Sequence, residues 1–89
     1  MGHTTITMFV KSTNMSDVEK EFKKQKAIDR VENGTNGDWS QVWDVPKRQT
    51  TAKTRQEAYN LANTLDSYES LLIYVEEEKG YMIAVDIHI

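Results

Sequence analysis

Asp86 and His88 are the residues whose types and spacing come nearest to chemistry. They stand two apart in a strongly alternating segment, so on a β-strand both side chains leave the same face. Glu76, in the preceding apolar segment, could join them, and such a trio would hold a divalent metal or move a proton. Spacing fixes no third ligand, however, and a face opposite an Ile/Val stripe is expected to be wet. The pair therefore reads as polar surface. His3, the only other histidine, lies at the terminus, a poor place to hold a ligand. No Ser or Thr occupies a Gly-x-Ser-x-Gly frame. Gly34-Thr35-Asn36-Gly37 lacks the lysine of a phosphate loop and runs into Asp38, unlike the basic loops that clamp nucleic acid. The absence of cysteine removes disulfides, thiolate catalysis and cysteine-ligated zinc, and fits a reducing compartment. No enzyme, metal centre or cofactor is expected.

A second group is built for contact instead of reaction. If Trp39 to Val45 is a strand, Trp39 and Trp43 share one face, and Lys47, Arg48, Lys53 and Arg55 follow closely. Aromatics beside cations are the ingredients of single-stranded nucleic-acid binding. They are also the ingredients of a protein–protein hot spot, where Trp and Arg are enriched. Against both stands the ordinary fate of a large aromatic in a small domain, which is the core.

The third group is acidic. Glu76, Glu77 and Glu78 cluster where a hairpin tip is expected, with Asp66 and Glu69 nearby in sequence. Such a patch can engage a basic groove, and it also keeps a sheet edge soluble. Tyr74 alternates with Leu72 away from the main apolar stripe, as do Phe9, Met82 and Ala84. An uncovered second sheet face would offer these residues to a partner or a second copy. Charge is uneven along the chain. Residues 20–55 carry nine basic groups against five acidic ones, for +4, and residues 56–89 carry one against seven, for −6, within a net charge of −3. A polarised molecule meets partners in a preferred orientation. Its overall negative charge disfavours non-specific phosphate binding.

These groups need elements to position them. Thr4 to Lys11 reads as a first strand with Ile6, Met8 and Val10 on one face. Ser16-Asp17-Val18-Glu19 matches a capping box and opens a helix to about Gln25. Lys26 to Glu32 either continues that helix or forms a strand, and the strand is preferred because a longer helix crowds Lys24 and Arg30 towards its buried stripe. After the turn cluster of residues 33–38, Trp39 to Val45 has strand composition and stops at Pro46. Lys47 to Lys53 reads as a basic loop. Thr54-Arg55-Gln56-Glu57 is a second capping box, followed by a helix with Ala58, Leu61, Ala62 and Leu65 on one stripe, which Tyr68 could close. Leu71 to Glu77 and Tyr81 to Ile89 are the last strands, joined at Lys79-Gly80. In the final strand Tyr81, Ile83, Val85, Ile87 and Ile89 alternate onto one face.

Eighty-nine residues make one small domain, 1–89, with an ordered role not expected for residues 1–3. The order β-α-(β)-β-α-β-β predicts an α+β fold, with two helices on one face of a mostly antiparallel four- or five-stranded sheet. No apolar run is long enough to cross a bilayer and no signal-peptide layout opens the chain, so a cytoplasmic location is expected. The expected role is that of a small non-enzymatic binding protein that docks on a larger protein or ribonucleoprotein and regulates or inhibits it. At the level of class, its profile resembles short phage and mobile-element proteins that redirect host factors, anti-CRISPR inhibitors among them. Tyr74, Glu76, Glu77, Glu78, Trp39 and Trp43 are the expected contacts. The alternative is a single-stranded nucleic-acid module using Lys47, Arg48, Lys53, Arg55 and an exposed Trp. A homodimer through an exposed sheet face or edge fits either reading.

Overall fold

The alternating segments at the two ends of the chain pair with each other. In the computed structural model, which describes residues 2–34 and 37–88, β1 (His3–Val10) lies antiparallel to β4 (Gly80–His88), with Ile6 opposite Val85 and Met8 opposite Ile83. β3 (Ser70–Val75) flanks β4 on its other side, also antiparallel. β2 (Gln49–Ala52) adds to β3 in parallel, and the crossover between them is α2 (Arg55–Ala62). The sheet is four-stranded and mixed, in the order β1-β4-β3-β2. With α1 (Met15–Asn33) between β1 and β2, the fold is α+β in the order β-α-β-α-β-β.

The helices occupy opposite faces of the sheet, not one face as the pattern predicts. Alternation explains how both are fed. One parity of β4 (Tyr81, Ile83, Val85, Ile87) joins Ile6, Met8, Val10 and Leu72 beneath Val18 and Phe22 of α1. The other parity (Met82, Ala84) joins Phe9, Leu71, Ile73 and Val75 beneath Ala58 and Ala62 of α2. The second sheet face is therefore core, and its small helix residues let α2 pack close. Leu72 and Tyr74 belong to the α1 face, opposite in parity to the expectation. Ile89 lies outside the described residues.

α1 is much longer than its sequence pattern suggests. Its N-cap is Asn14, whose Oδ1 accepts the Ser16 N–H at 2.9 Å, two residues before the expected Ser16 cap. It continues through Lys26–Glu32, so the preferred strand there is absent and the sheet has four strands. The deception has a physical source. Ile28 and Val31 give this stretch a β-like composition, yet they are 42% and 88% exposed, while Asp29 takes the buried position. Gly34, at φ +68°, ends the helix with its N–H on the Arg30 carbonyl.

The segment expected as a strand, Trp39–Val45, is instead a 3-10 turn (Trp39–Gln41) followed by unpaired chain that bends at Asp44. The strand that belongs in this place is β2, inside the stretch expected as a loop. Only Ala52 of its four residues is buried, so no alternation marks it. α2 begins as predicted: Thr54 Oγ1 accepts the Glu57 N–H at 3.1 Å, although the Glu57 carboxylate reaches Lys53 N–H instead of Thr54.

Candidate docking surface

Trp39 and Trp43 have opposite fates. The 3-10 turn directs Trp39 inward, edge-on to Phe22 with ring centroids 6.2 Å apart, and Val42 and Pro46 are buried after it. Trp43 falls between these anchors and is 94% exposed. Trp39 is thereby core and leaves the set of expected contacts. Trp43 stays in it.

Asp29 holds this segment to α1. Its Oδ2 accepts the Ser40 N–H at 3.0 Å and the Ser40 hydroxyl at 3.1 Å, and its Oδ1 accepts Asn33 Nδ2 at 3.0 Å. Burial pushes the Asp29 carboxyl up, but the hydrogen bonds from Asn33 and Ser40, with the Trp39 backbone, together bring it below the usual carboxylate range. A Cβ at Gly37 would run into the Asp29 carboxylate and displace it from this arrangement. An aromatic that protrudes from a segment pinned on both sides loses little freedom on binding.

Trp43 and Asp44 form a ridge between two grooves. On one side the floor and wall are α1: Phe22, Lys23, Lys26, Ala27 and Arg30, with Ser40. Lys23, Lys26 and Arg30 recur at i, i+3 and i+7, one stripe of the helix, and none forms an ion pair among the described residues. Ala27 also borders a shallow apolar depression with Ile28 and Val31. On the other side, Trp43 faces Tyr68, Ser70, Val85, Ile87 and His88, where β4 runs past the start of β3. Tyr68 is 74% exposed, sits at a left-handed φ of 66° and stacks on His88 with centroids 4.7 Å apart.

Asp86 underlies this second groove. It is 3% exposed, not a wet surface residue as its parity suggested. Its Oδ2 lies 2.6 Å from His3 Nδ1 and its Oδ1 accepts the Tyr68 N–H at 3.4 Å. Asp86 and His88 thus anchor other residues, and His3 has a structural place. Glu76 is at the far end of β3, about 20 Å away by strand length, so the trio does not assemble. Among the described residues no three His, Asp or Glu side chains group as a metal site.

The remaining expected contacts fall elsewhere. Glu76–Glu78 form a 3-10 turn at the opposite end of β4 from Trp43. Glu76 and Glu77 are exposed, while Glu78 is salt-bridged to Arg55, whose guanidinium covers the Phe9 ring at 4.1 Å. Glu78 in turn holds Arg55 more firmly protonated. Tyr74 is half-buried against Tyr81, centroids 5.1 Å apart. Of the basic set, Arg48 pairs with Glu69 at 3.1 Å and Arg55 with Glu78, leaving Lys47 and Lys53 without an ion pair among the described residues. The cations beside Trp43 come from α1 instead. The signal for them was available as the i, i+3, i+7 spacing of Lys23, Lys26 and Arg30, but it needed α1 to run past residue 25.

No helix among the described residues is long and apolar enough to cross a membrane. No known protein family, curated protein or solved structure matches the chain.

Proposed function

We propose that this chain is a small non-enzymatic docking protein that binds a larger protein or protein complex through the Trp43 ridge, and regulates or inhibits that partner by occupying its surface. The supporting observation is Trp43, nearly fully exposed on a segment pinned by Asp29, Val42 and Pro46. Four of the five exposed large apolar residues among the described residues, Ile28, Val31, Trp43 and Tyr68, line the grooves beside it or the depression that adjoins them. Apolar patches on either side of the Lys23, Lys26 and Arg30 stripe, with an aromatic ridge beside it, have the mixed make-up of a protein interface. The complementary partner surface has a pocket for an indole and an acidic border facing Lys23, Lys26 and Arg30. Occupation of a host factor by a short phage or mobile-element protein is one setting for such an interaction.

Trp43→Ala tests this reading, because it removes the ridge without touching the core. The expected result is loss of partner capture with an unchanged melting curve. Retained capture contradicts it.

The α1 cations beside Trp43 favour one second reading, single-stranded nucleic acid stacked on Trp43 and Tyr68. Titration with labelled single-stranded DNA and RNA at low salt separates the two. Affinity that falls steeply with ionic strength and is lost on reversing Lys23, Lys26 and Arg30 supports nucleic acid. Ile28 and Val31 have no counterpart in phosphate recognition, which is why the protein reading is preferred.

A further inference from the structure

The two edges of the sheet are protected unequally. The β2 edge is four residues long and is flanked by Lys47, Arg48 and Lys53, the usual devices that stop a strand from recruiting another. The β1 edge is twice as long, and the one charge that flanks it directly is Lys11. Its eight residues, His3-Thr4-Thr5-Ile6-Thr7-Met8-Phe9-Val10, contain no Asp, Glu, Lys, Arg or Pro, and β4 is their only strand neighbour among the described residues. Residues 5–9 are all half-exposed despite alternating between two packed faces. A long, uncharged, unpaired edge is a template for strand addition.

We infer that the occupant is a second copy of this chain, joined β1 to β1 in antiparallel fashion to make one eight-stranded sheet. A two-fold axis normal to the sheet keeps each face on its own side, so residues of equal parity meet across it. Ile6 and Met8 of each copy then extend the α1-side core, and Thr5 and Thr7 pair on the α2 side. Apolar and Thr–Thr cross-strand pairs are both favourable, and no like charges are brought together. A charged partner strand finds no complement on this edge, whereas an identical strand matches it in length and in neutrality. Neither groove beside Trp43 is lined by a β1 residue, so the dimer presents two free ridges and binds a repeated partner bivalently.

Sedimentation equilibrium on the full chain tests this directly. The expected species has twice the 10.3 kDa chain mass. Thr7→Lys, which places two ammonium groups near the axis, weakens association by about tenfold while circular dichroism remains native. Because the chain has no cysteine, single nitroxide labels at Thr7→Cys and Thr51→Cys locate the contact even if the lysine variant folds poorly. Paired strands put the labels at position 7 within about 10–20 Å of each other. Those at position 51, on β2, lie seven strand spacings apart, about 34 Å. A monomer at all concentrations overturns the inference, as does a dimer with its short distance at position 51. A dimer lost on Trp43→Ala but not on Thr7→Lys also overturns it.

Discussion

The Trp39 ring meets Phe22 of α1 edge-on at an interplanar angle of 85°, and this contact decides what the protein shows to solvent. With Trp39 spent on the core, the tight turn leaves Trp43 outside, four residues on. One tryptophan stabilises the domain and the other is free to bind.

That division makes the two tryptophans separable by experiment. Trp39→Ala leaves a cavity against Phe22, Val42 and the α1 face of the sheet, and is expected to cost about 3–5 kcal/mol, enough to unfold much of so small a domain. Trp43→Ala is expected to change stability by no more than about 0.5 kcal/mol. Urea denaturation of the two variants checks both values. Similar losses would mean that Trp43 is packed.

Asp29 ties the binding segment to pH. Its folded carboxyl lies below the ordinary range of about 4, so it releases its proton more readily in the native state than in the unfolded chain. The sign follows: its contribution is fully present above the unfolded value and is lost as pH falls through the lower, folded value. Glu69 acts in the same sense, held down first by the Asp66 N–H and then by Arg48 although burial opposes them. Melting temperature should therefore be flat from about pH 7 to 5 and fall below about pH 4. Asp29→Asn should be less stable at neutral pH and show a shallower acid slope. A slope identical to that of the parent would remove Asp29 from this role.

Gly80 marks a close approach at the other end of the sheet. A Cβ there would lie 2.6 Å from both the Val10 carbonyl oxygen and the Phe9 ring, where β1 and β4 pair. Gly80→Ala is expected to destabilise by about 1–3 kcal/mol through overpacking. A neutral effect in thermal melts would mean that the β1–β4 strand ends are loosely held.

His3 closes the opposite end of the same strand pair by its contact with Asp86. Removing it leaves a buried carboxylate with only the long Tyr68 N–H contact on its side chain, so His3→Ala should cost about 1–3 kcal/mol. It should also shift the Tyr68 amide resonance, because that N–H donates to the same carboxylate, and leave the resonances of remote residues unchanged. An unaltered melt and spectrum would argue that Asp86 is held adequately without His3.

The parts of this fold legible in the sequence were those with a strong period. Tyr81, Ile83, Val85 and Ile87 keep one parity of β4, and Ala58, Leu61 and Ala62 follow a helical stripe behind the Thr54 cap, although the helix ends at Ala62 and Leu65 packs from the chain after it. Illegible parts had a period that tertiary contacts override. Asp29 sits where an apolar residue would mark the buried face of α1, and it can do so because Ser40 and Asn33 satisfy it. Ile28 and Val31 sit where a helix should be polar, and together with Trp43 they are the residues the candidate surface uses. The same feature hid the end of the helix and the site. β2 was hidden because a short edge strand of Gln, Thr and Ala has no core pattern to display. Period alone does not say which sheet face a helix covers; here the parity of β4 feeds α1 with one set of residues and α2 with the other.

Docking through position 43 is tested most directly by photo-crosslinking in the cells that naturally produce the protein, with benzoylphenylalanine at position 43 and, as a control, at Thr51. Recovered adducts are split, treated with or without nuclease and read by mass spectrometry. The docking account predicts one protein adduct, resistant to nuclease, formed at position 43 and absent at 51, whose parent complex is no longer captured by Trp43→Ala. Adducts that vanish with nuclease, or that form equally at both positions, would contradict it.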